Sequence, residues 1–262
     1  MTERTMIQFE DVHKSLAGAH VLQGLNLSVA HGEIMVIVGH TGSGKSVTLR
    51  HIIGLHSPDS GRVLVDGVDL SSLSRGQMEK MRARFGVLFQ SAALMNWMNV
   101  FDNIALPLRE CTKLSASGIK EKVEKALCLL GLENDAMKMP DEISGGMRKR
   151  VGIARAIIME PEILLYDEPT SGLDPVMSRK IDELVLSLNH KLKITSIVVT
   201  HDLCSAFGIA DRVAMLDAGR VIECGGPEDF KNSKNEYVQN FLAAQFNTSK
   251  LRSMEMHNGT HA

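Results

Sequence analysis

Eight residues constrain this 262-residue chain more than any others: Gly39-His40-Thr41-Gly42-Ser43-Gly44-Lys45-Ser46. They follow Glu33-Ile34-Met35-Val36-Ile37-Val38, a near-continuous apolar run of the kind a buried parallel strand needs. They precede Val47, Leu49, Ile52 and Ile53, which have helical spacing. A strand, then GxxxxGK[ST], then a helix makes a phosphate cradle. The glycines free backbone N–H groups to wrap phosphate oxygens, the helix start adds its positive end, and the Lys45 ammonium reaches the outer phosphates. The Ser46 hydroxyl is placed to ligate Mg²⁺. All eight residues are candidates for nucleotide binding.

The rest of the pattern supports an α/β protein. Ile7 and Phe9, then Leu25, Leu27 and Val29, alternate as strands do, and Val63 and Val65 run into the hairpin signal Asp66-Gly67. Between about Gln77 and Glu160 strand signals nearly vanish, and Val123, Leu127 and Leu130 form one face of a helix that Gly131 should stop. Strands are predicted again at Ile163–Tyr166, Ile197–Thr200 and Val213–Leu216, with a helix through Ile181, Leu184, Val185 and Leu188. Asp217-Ala218-Gly219-Arg220 should turn between two short strands. The alternation predicts a parallel sheet with a helical insertion, and beyond Phe246 a polar tail.

Composition narrows the function. Basic and acidic residues number 29 and 31, a net charge of -2, so no global positive field would hold the chain on nucleic acid or anionic lipid. Aromatic residues are 4% of the chain, too few for a base-stacking surface. Apolar runs fall far short of the ~20 residues that span a bilayer, and Met1–Arg4 lacks the apolar region of a signal peptide. Cys111, Cys128, Cys204 and Cys224 have no metal-ligand spacing and are expected to be reduced thiols of a cytosolic protein.

Two further segments bear chemistry. Ile163-Leu164-Leu165-Tyr166-Asp167-Glu168 is an apolar strand delivering two carboxylates. In phosphoryl transfer a strand-end Asp holds the Mg²⁺ shell, and a neighbouring carboxylate can orient and deprotonate a water. In Ile143-Ser144-Gly145-Gly146-Met147-Arg148-Lys149-Arg150, Ser144 has the character of an N-cap and the glycines bare the N–H groups of the next helix, a second anion site. One active site has no use for two phosphate cradles in one chain, whereas two chains facing head to tail could each lend one. Lys149 is expected on the solvated face of that helix.

Over residues 6–230 the chain resembles the nucleotide-binding subunits of ABC transporters, in motifs that occur in family order: Gly39–Ser46, Gln90, Ser144-Gly145-Gly146, Asp167-Glu168, Ser171-Gly172-Leu173-Asp174 and His201. The resemblance implies a P-loop NTPase (ABC ATPase) core with an antiparallel β subdomain and an inserted helical subdomain at about 91–160, followed by a C-terminal helix and tail over 231–262. It implies ATP and Mg²⁺ as cofactors, with Ser46, Gln90 and Asp167 at the metal. Glu168 would be the general base, His201 would contact the γ-phosphate, and Gln90 would link Mg²⁺ and the attacking water to a membrane permease. Ser144, Gly145 and Gly146 would bind the nucleotide of a second copy, and Asp174 would join the two sites across that homodimer. One departure lies at Leu16, where the family usually has an aromatic ring for adenine; Lys14 and His13 are nearby.

A narrower resemblance, to the ATPase subunit of Mla-type (Mce-linked) phospholipid transporters, rests on Leu88–Leu94, Asn99–Asn103, Leu106–Glu110, Met139-Pro140 and Val238–Leu242. It implies phospholipid as cargo between inner and outer membranes, a place on the cytoplasmic face of the inner membrane, and a periplasmic lipid-binding subunit. The alternative is an importer of amino acids or other small polar solutes. Leu94, Met95, Trp97 and Met98 are candidates for a permease groove, or else for core of the helical subdomain. A soluble role on DNA or ribosomes lacks the charge it would need, so no nucleic acid partner is expected.

Overall fold

The computed structural model describes residues 4–246. Its central element is β3 (Ile34–Val38), all five residues of which are buried. Alternate side chains of a strand point to opposite faces, so a strand this apolar must be covered twice. Met35 and Ile37 join one core and Ile34, Val36 and Val38 the other. The same division recurs in β7 (Ile163–Asp167), β8 (Thr195–Val199) and β9 (Arg212–Asp217). Burying each such aliphatic side chain contributes roughly 1.5–3 kcal/mol.

With β6 (Phe85–Leu88), these strands form one sheet in the order β10-β9-β3-β8-β7-β6, parallel from β9 to β6, with β10 (Arg220–Gly225) antiparallel at one edge. Ala218 (φ 42°) and Gly219 (φ 74°) make the expected turn between β9 and β10. The first core lies between this sheet and an antiparallel sheet of order β2-β1-β4-β5, built from β1 (Thr5–Leu16), β2 (Ala19–Ala30), β4 (Ser60–Val65) and β5 (Val68–Asp69). Helix α1 (Lys45–Ile52) adds Leu49 and Ile52 to it, and α2 (Arg75–Arg82) adds Met81.

The second core lies under the helices. Three of them, α3 (Val100–Cys111), α4 (Ala116–Leu130) and α5 (Gly145–Ile157), fall between β6 and β7 in the chain. They share one apolar cluster with α6 (Pro175–Leu192), α7 (Leu203–Ile209) and the sheet. Gly131 stops α4 in the left-handed conformation, as its position predicts. Helix α8 (Pro227–Lys231) and a helical stretch over 236–246 close the described chain. The expected polar tail beyond Phe246 lies outside the described residues. No helix among them is long and apolar enough to cross a membrane.

One strand lies in the stretch from Gln77 to Glu160, where strand signals nearly vanish: β6 (Phe85–Leu88) pairs in parallel with β7. Four residues with a glycine inside are too few for periodicity to show. Gly86 is there because the backbone of α5 comes close, and an added Cβ would stand 2.3 Å from the Ala156 carbonyl oxygen.

Two predictions follow from this packing. Gly86→Val should destabilise the fold by about 1–3 kcal/mol through overpacking, seen as a lowered melting temperature. Asp182 lies on α6 and accepts a hydrogen bond from the Ser205 hydroxyl on α7. Burial first, then the nearby carboxylates of Asp202 and Glu183, raise its carboxyl to about 6, opposed by the Ser205 bond. Because the folded state holds this proton more tightly than the unfolded chain, stability is lost as pH rises from the ordinary carboxylate range through about 6. Asp182→Asn should therefore raise the melting temperature by about 2–6 °C at pH 8, after allowance for solvent screening, and by much less at pH 5.

Candidate functional site

The polar groups gather where the parallel strands end, the usual place for ligands in an open α/β sheet. Gly39 follows β3, Asp167 ends β7, Gln90 stands two residues beyond β6, and His201 two beyond β8. The strand order sets β3, β8, β7 and β6 side by side, so residues more than a hundred positions apart in sequence become neighbours.

The loop from Gly39 to Gly44 wraps back over the start of α1. Gly39 (φ 153°) has no room for a side chain, since an added Cβ would meet the Leu216 carbonyl oxygen at 2.2 Å. Gly44 (φ 107°) is in the left-handed region at the N-cap of α1, a conformation that costs glycine little. Lys45 is 8% exposed, and its ammonium donates to the carbonyls of Gly39 (2.8 Å) and His40 (2.9 Å) inside the loop. Burial lowers its pKa, against the pull of Glu168 and Asp167. Among the described residues, Ser43 Oγ is buried without a hydrogen-bond partner. The loop thus offers an ammonium, an orphaned hydroxyl and the free N–H groups of a helix start, donors that fit phosphate oxygens. His40, Thr41 and Gly42 stand exposed at its rim.

Beside it, Ser46 Oγ donates to Asp167 Oδ1 at 3.2 Å. Burial raises the Asp167 carboxyl, opposed first by this bond. A half-buried carboxylate and a hydroxyl at this distance are oxygen ligands of the kind Mg²⁺ takes, completed by water and phosphate. ATP with Mg²⁺ fits the residues present.

Glu168 is held in a left-handed conformation (φ 50°) by its N–H to the Val199 carbonyl (2.9 Å). Its Oε2 meets His201 Nδ1 at 2.8 Å, with the His201 side chain 63% exposed. Oε1 has no hydrogen-bond partner among the described residues. Gln90 Nε2 reaches Ser171 Oγ at 3.5 Å. Lys45, Ser46, Gln90, Asp167, Glu168 and His201 are therefore brought together.

The other predicted residues stand apart. Ser144 caps α5 by accepting from the Met147 N–H, and Gly145 packs near Leu173 while Gly146 packs on Met177. Among the described residues no hydrogen bond joins Ser144, Gly145 or Gly146 to the phosphate loop. Asp174 is engaged as the N-cap of α6, accepting from the N–H groups of Val176 and Met177. Leu16 ends β1 on the hairpin whose Val21 and Leu22 border Gly44. Lys14 is paired with Asp59 and His13 with Asp11.

Residues that the sequence reading missed now appear. Lys149 is not solvated: it is buried, with Nζ donating to the carbonyls of Gln90 and Glu168. Helical periodicity could not reveal this, because the enclosing surface comes from two distant strand ends. Gln245 also reaches the site, accepting from the Leu203 N–H and donating to the His201 carbonyl. Tyr237 and Phe241 set their rings edge-on to His40. Of the groove candidates, Leu94 packs against the core, Met95 lines an open groove of about 470 Å³ with Phe85, Phe89 and Leu106, and Trp97 is 74% exposed.

Residues 22–171 match the family model described as ABC transporter. The chain is 40% identical over 236 residues to a probable ribonucleotide transport ATP-binding protein mkl of Mycobacterium tuberculosis, covering 90% of this chain and 66% of that protein. It thus spans just under two thirds of the length of that relative. It is 37% identical over 257 residues to the methionine import ATP-binding protein MetN 2 of Pseudomonas aeruginosa, covering 96% of this chain and 76% of that one. Among solved structures it resembles cbiO1 of Clostridium perfringens, part of the ABC transporter complex cbiONQ (TM-score 0.82, 31% identity, 96% of this chain and 100% of that one). It also resembles a dimeric post-hydrolysis state of the ATP-binding cassette MJ0796 bound to ADP and Pi (TM-score 0.77, 31% identity, 85% and 99%). With the phosphate loop, the paired strand-end carboxylates and the order of the sheet already in place, these matches put the chain in the ABC transporter family, as an ATP-binding cassette.

Proposed function

We propose that this chain hydrolyses ATP at a site completed by a second copy, and so drives a separate membrane permease from its cytoplasmic side. The observation that carries this reading is the meeting of Lys45, Ser46, Asp167 and Glu168 at adjacent strand ends, with the Ser144–Gly146 helix start unjoined to it. Lys45 would hold the outer phosphates, and Ser46, Asp167 and Gln90 would hold Mg²⁺. Bound there, Mg²⁺ would offset the charge of the phosphates. Glu168, fixed at one oxygen by His201, takes the proton of a water through the other. That water's oxygen bonds to the γ-phosphorus as the bond to the ADP oxygen breaks. Gln90 and His201 face the same water and phosphate. Ser144, Gly145 and Gly146 lend their N–H groups to the nucleotide held by the second copy, and Asp174 lies at the seam. The domain limits 6–230 and 231–262, with helices inserted at about 91–160, belong to the same proposal.

For cargo we infer phospholipid, moved between inner and outer membranes with a periplasmic lipid-binding subunit. The support is the run around the groove, Leu88–Leu94, Asn99–Asn103 and Leu106–Glu110, with Met139-Pro140 and Val238–Leu242. The groove beside Met95 and the exposed Trp97 would receive the permease. A second reading, import of a small polar solute, is favoured by relatives named for methionine import.

Lys45→Ala should lower ATP turnover by about 10²-fold or more, measured as phosphate release. Unchanged turnover would refute the assignment. Glu168→Gln should lose about 10²–10⁴-fold in turnover while still binding ATP and running as a dimer in light scattering. An ATP-bound monomer would refute the two-copy site. For cargo, altered outer-leaflet lipid with normal methionine uptake in cells lacking the protein supports the lipid reading, and the reverse supports the second.

A further inference from the structure

Lys149 is the buried cation that the mechanism above leaves without a task. It is 5% exposed, and its Nζ donates to the Gln90 carbonyl at 2.6 Å and to the Glu168 carbonyl at 2.9 Å. Three segments meet at this one ammonium: helix α5, the residue two beyond β6, and the residue that follows β7.

An ammonium is costly to bury unless it is hydrogen-bonded and lies in a compensating field. Burial lowers the Lys149 pKa, opposed by the carboxylates of Glu168 and Asp167, and two carbonyls accept from its ammonium. An apolar side chain would fill the same space without that cost, so packing alone does not account for a lysine. What the lysine adds is a grip on two backbones. The Glu168 backbone is in the left-handed region, which a residue with a side chain holds only when its surroundings impose it. Its carbonyl also accepts from the Ser171 N–H, so Lys149 is the second clamp on a strained residue. Among the described residues, the Gln90 carbonyl has Lys149 as its hydrogen-bond partner.

The other end of this contact is the anion site. Ser144 caps the helix on which Lys149 sits, and five residues at 1.5 Å rise separate them by about 7.5 Å along the axis. A rigid helix start that shifts to meet a phosphate carries Lys149 with it. Arg148 and Arg150 do not share this role. Arg148 donates to the carbonyls of Pro140 and Ile143, and Arg150 to those of Leu130 and Gly131, so both brace neighbouring helix ends.

We propose that Lys149 is a positioning residue, tying the helix that bears Ser144–Gly146 to the backbones of Gln90 and Glu168. The Glu168 carboxylate and the Gln90 amide are then aligned for attack when that helix is seated on the nucleotide of the second copy. The proposal rests on the ATP-hydrolysing reading given above. Lys149 acts through the two residues whose carbonyls it holds.

The test uses the full chain with Lys149→Met, Lys149→Gln and Lys149→Arg, reading kcat and KM for Mg-ATP by phosphate release alongside each melting temperature. Rates are taken at one temperature and again at a fixed interval below each melting temperature. The methionine variant should lose about 10- to 100-fold in kcat with KM changed by no more than about threefold, because alignment is lost while phosphate binding stays. Glutamine, a shorter and uncharged side chain ending in one amide NH₂, should fall between methionine and the wild type. Arginine, able to donate to both carbonyls, should recover most of the rate. If the methionine variant does not fold, the glutamine and arginine variants carry the comparison. The proposal is overturned if a soluble methionine or glutamine variant keeps the wild-type kcat. It is equally overturned if the deficit disappears at matched intervals below melting, which marks a purely structural brace. A wild-type chain that does not hydrolyse ATP overturns the functional reading and this proposal with it; an active wild type beside an unaffected variant overturns this proposal alone.

Discussion

The double burial of β3 is the constraint on which the rest of the molecule depends. Five consecutive apolar residues cannot face water on either side, so one layer must cover Met35 and Ile37 and another Ile34, Val36 and Val38. The antiparallel sheet with α1 does the first, and the helices from α3 to α7 do the second. With both faces covered, polar groups can leave the core only at the strand ends. The C-terminal ends of β3, β6, β7 and β8 thereby become the place for the phosphate loop, the carboxylates, Gln90 and His201. The three helices between β6 and β7 share an apolar cluster with the sheet, so their placement is tied to the same core.

At that edge the electrostatics is unbalanced in a useful way. Burial works against the charge of Asp167 and of Lys45 alike, raising one pKa and lowering the other. The ammonium turns inward to two loop carbonyls, and a buried serine hydroxyl has no partner among the described residues. Groups that pay desolvation without full compensation are poised for a ligand that supplies it. A metal-bound triphosphate brings acceptors for Lys45 and Ser43 and a cation for Asp167. On the far side Lys149 meets the same carboxylate field, with two backbone carbonyls to hold.

Much of this was legible in the chain because it depends on local rules. The run before Gly39, the cap at Ser144, the stop at Gly131 and the turn at Ala218-Gly219 each follow from a few neighbouring residues, and each appears in the fold. What escaped reading depends on distant surfaces. β6 is four residues long and lies where α5 presses on Gly86, so no periodicity announces it. Lys149 has the residue type of a solvated face, and only the convergence of β6 and β7 encloses it. Asp174 was expected to join two copies, and within the chain it caps α6, a role the sequence analysis did not assign it. Gln245 and Tyr237 meet the site from a helix nearly two hundred residues after the phosphate loop, a contact that no local rule encodes.

The central claim is that one working site needs two chains, the phosphate loop of one and the Ser144–Gly146 helix start of the other. Complementation tests it most directly. Lys45→Ala removes the loop's ammonium, and Ser144→Asp keeps a competent helix cap while placing a negative charge at the anion site. Each variant alone should be nearly inactive. Mixed in equal amounts, half the dimers are hybrids in which one of two sites pairs an intact loop with an intact helix start, so turnover should return to about a quarter of wild type. A mixture as inactive as its components, with exchange of chains verified, would contradict the account.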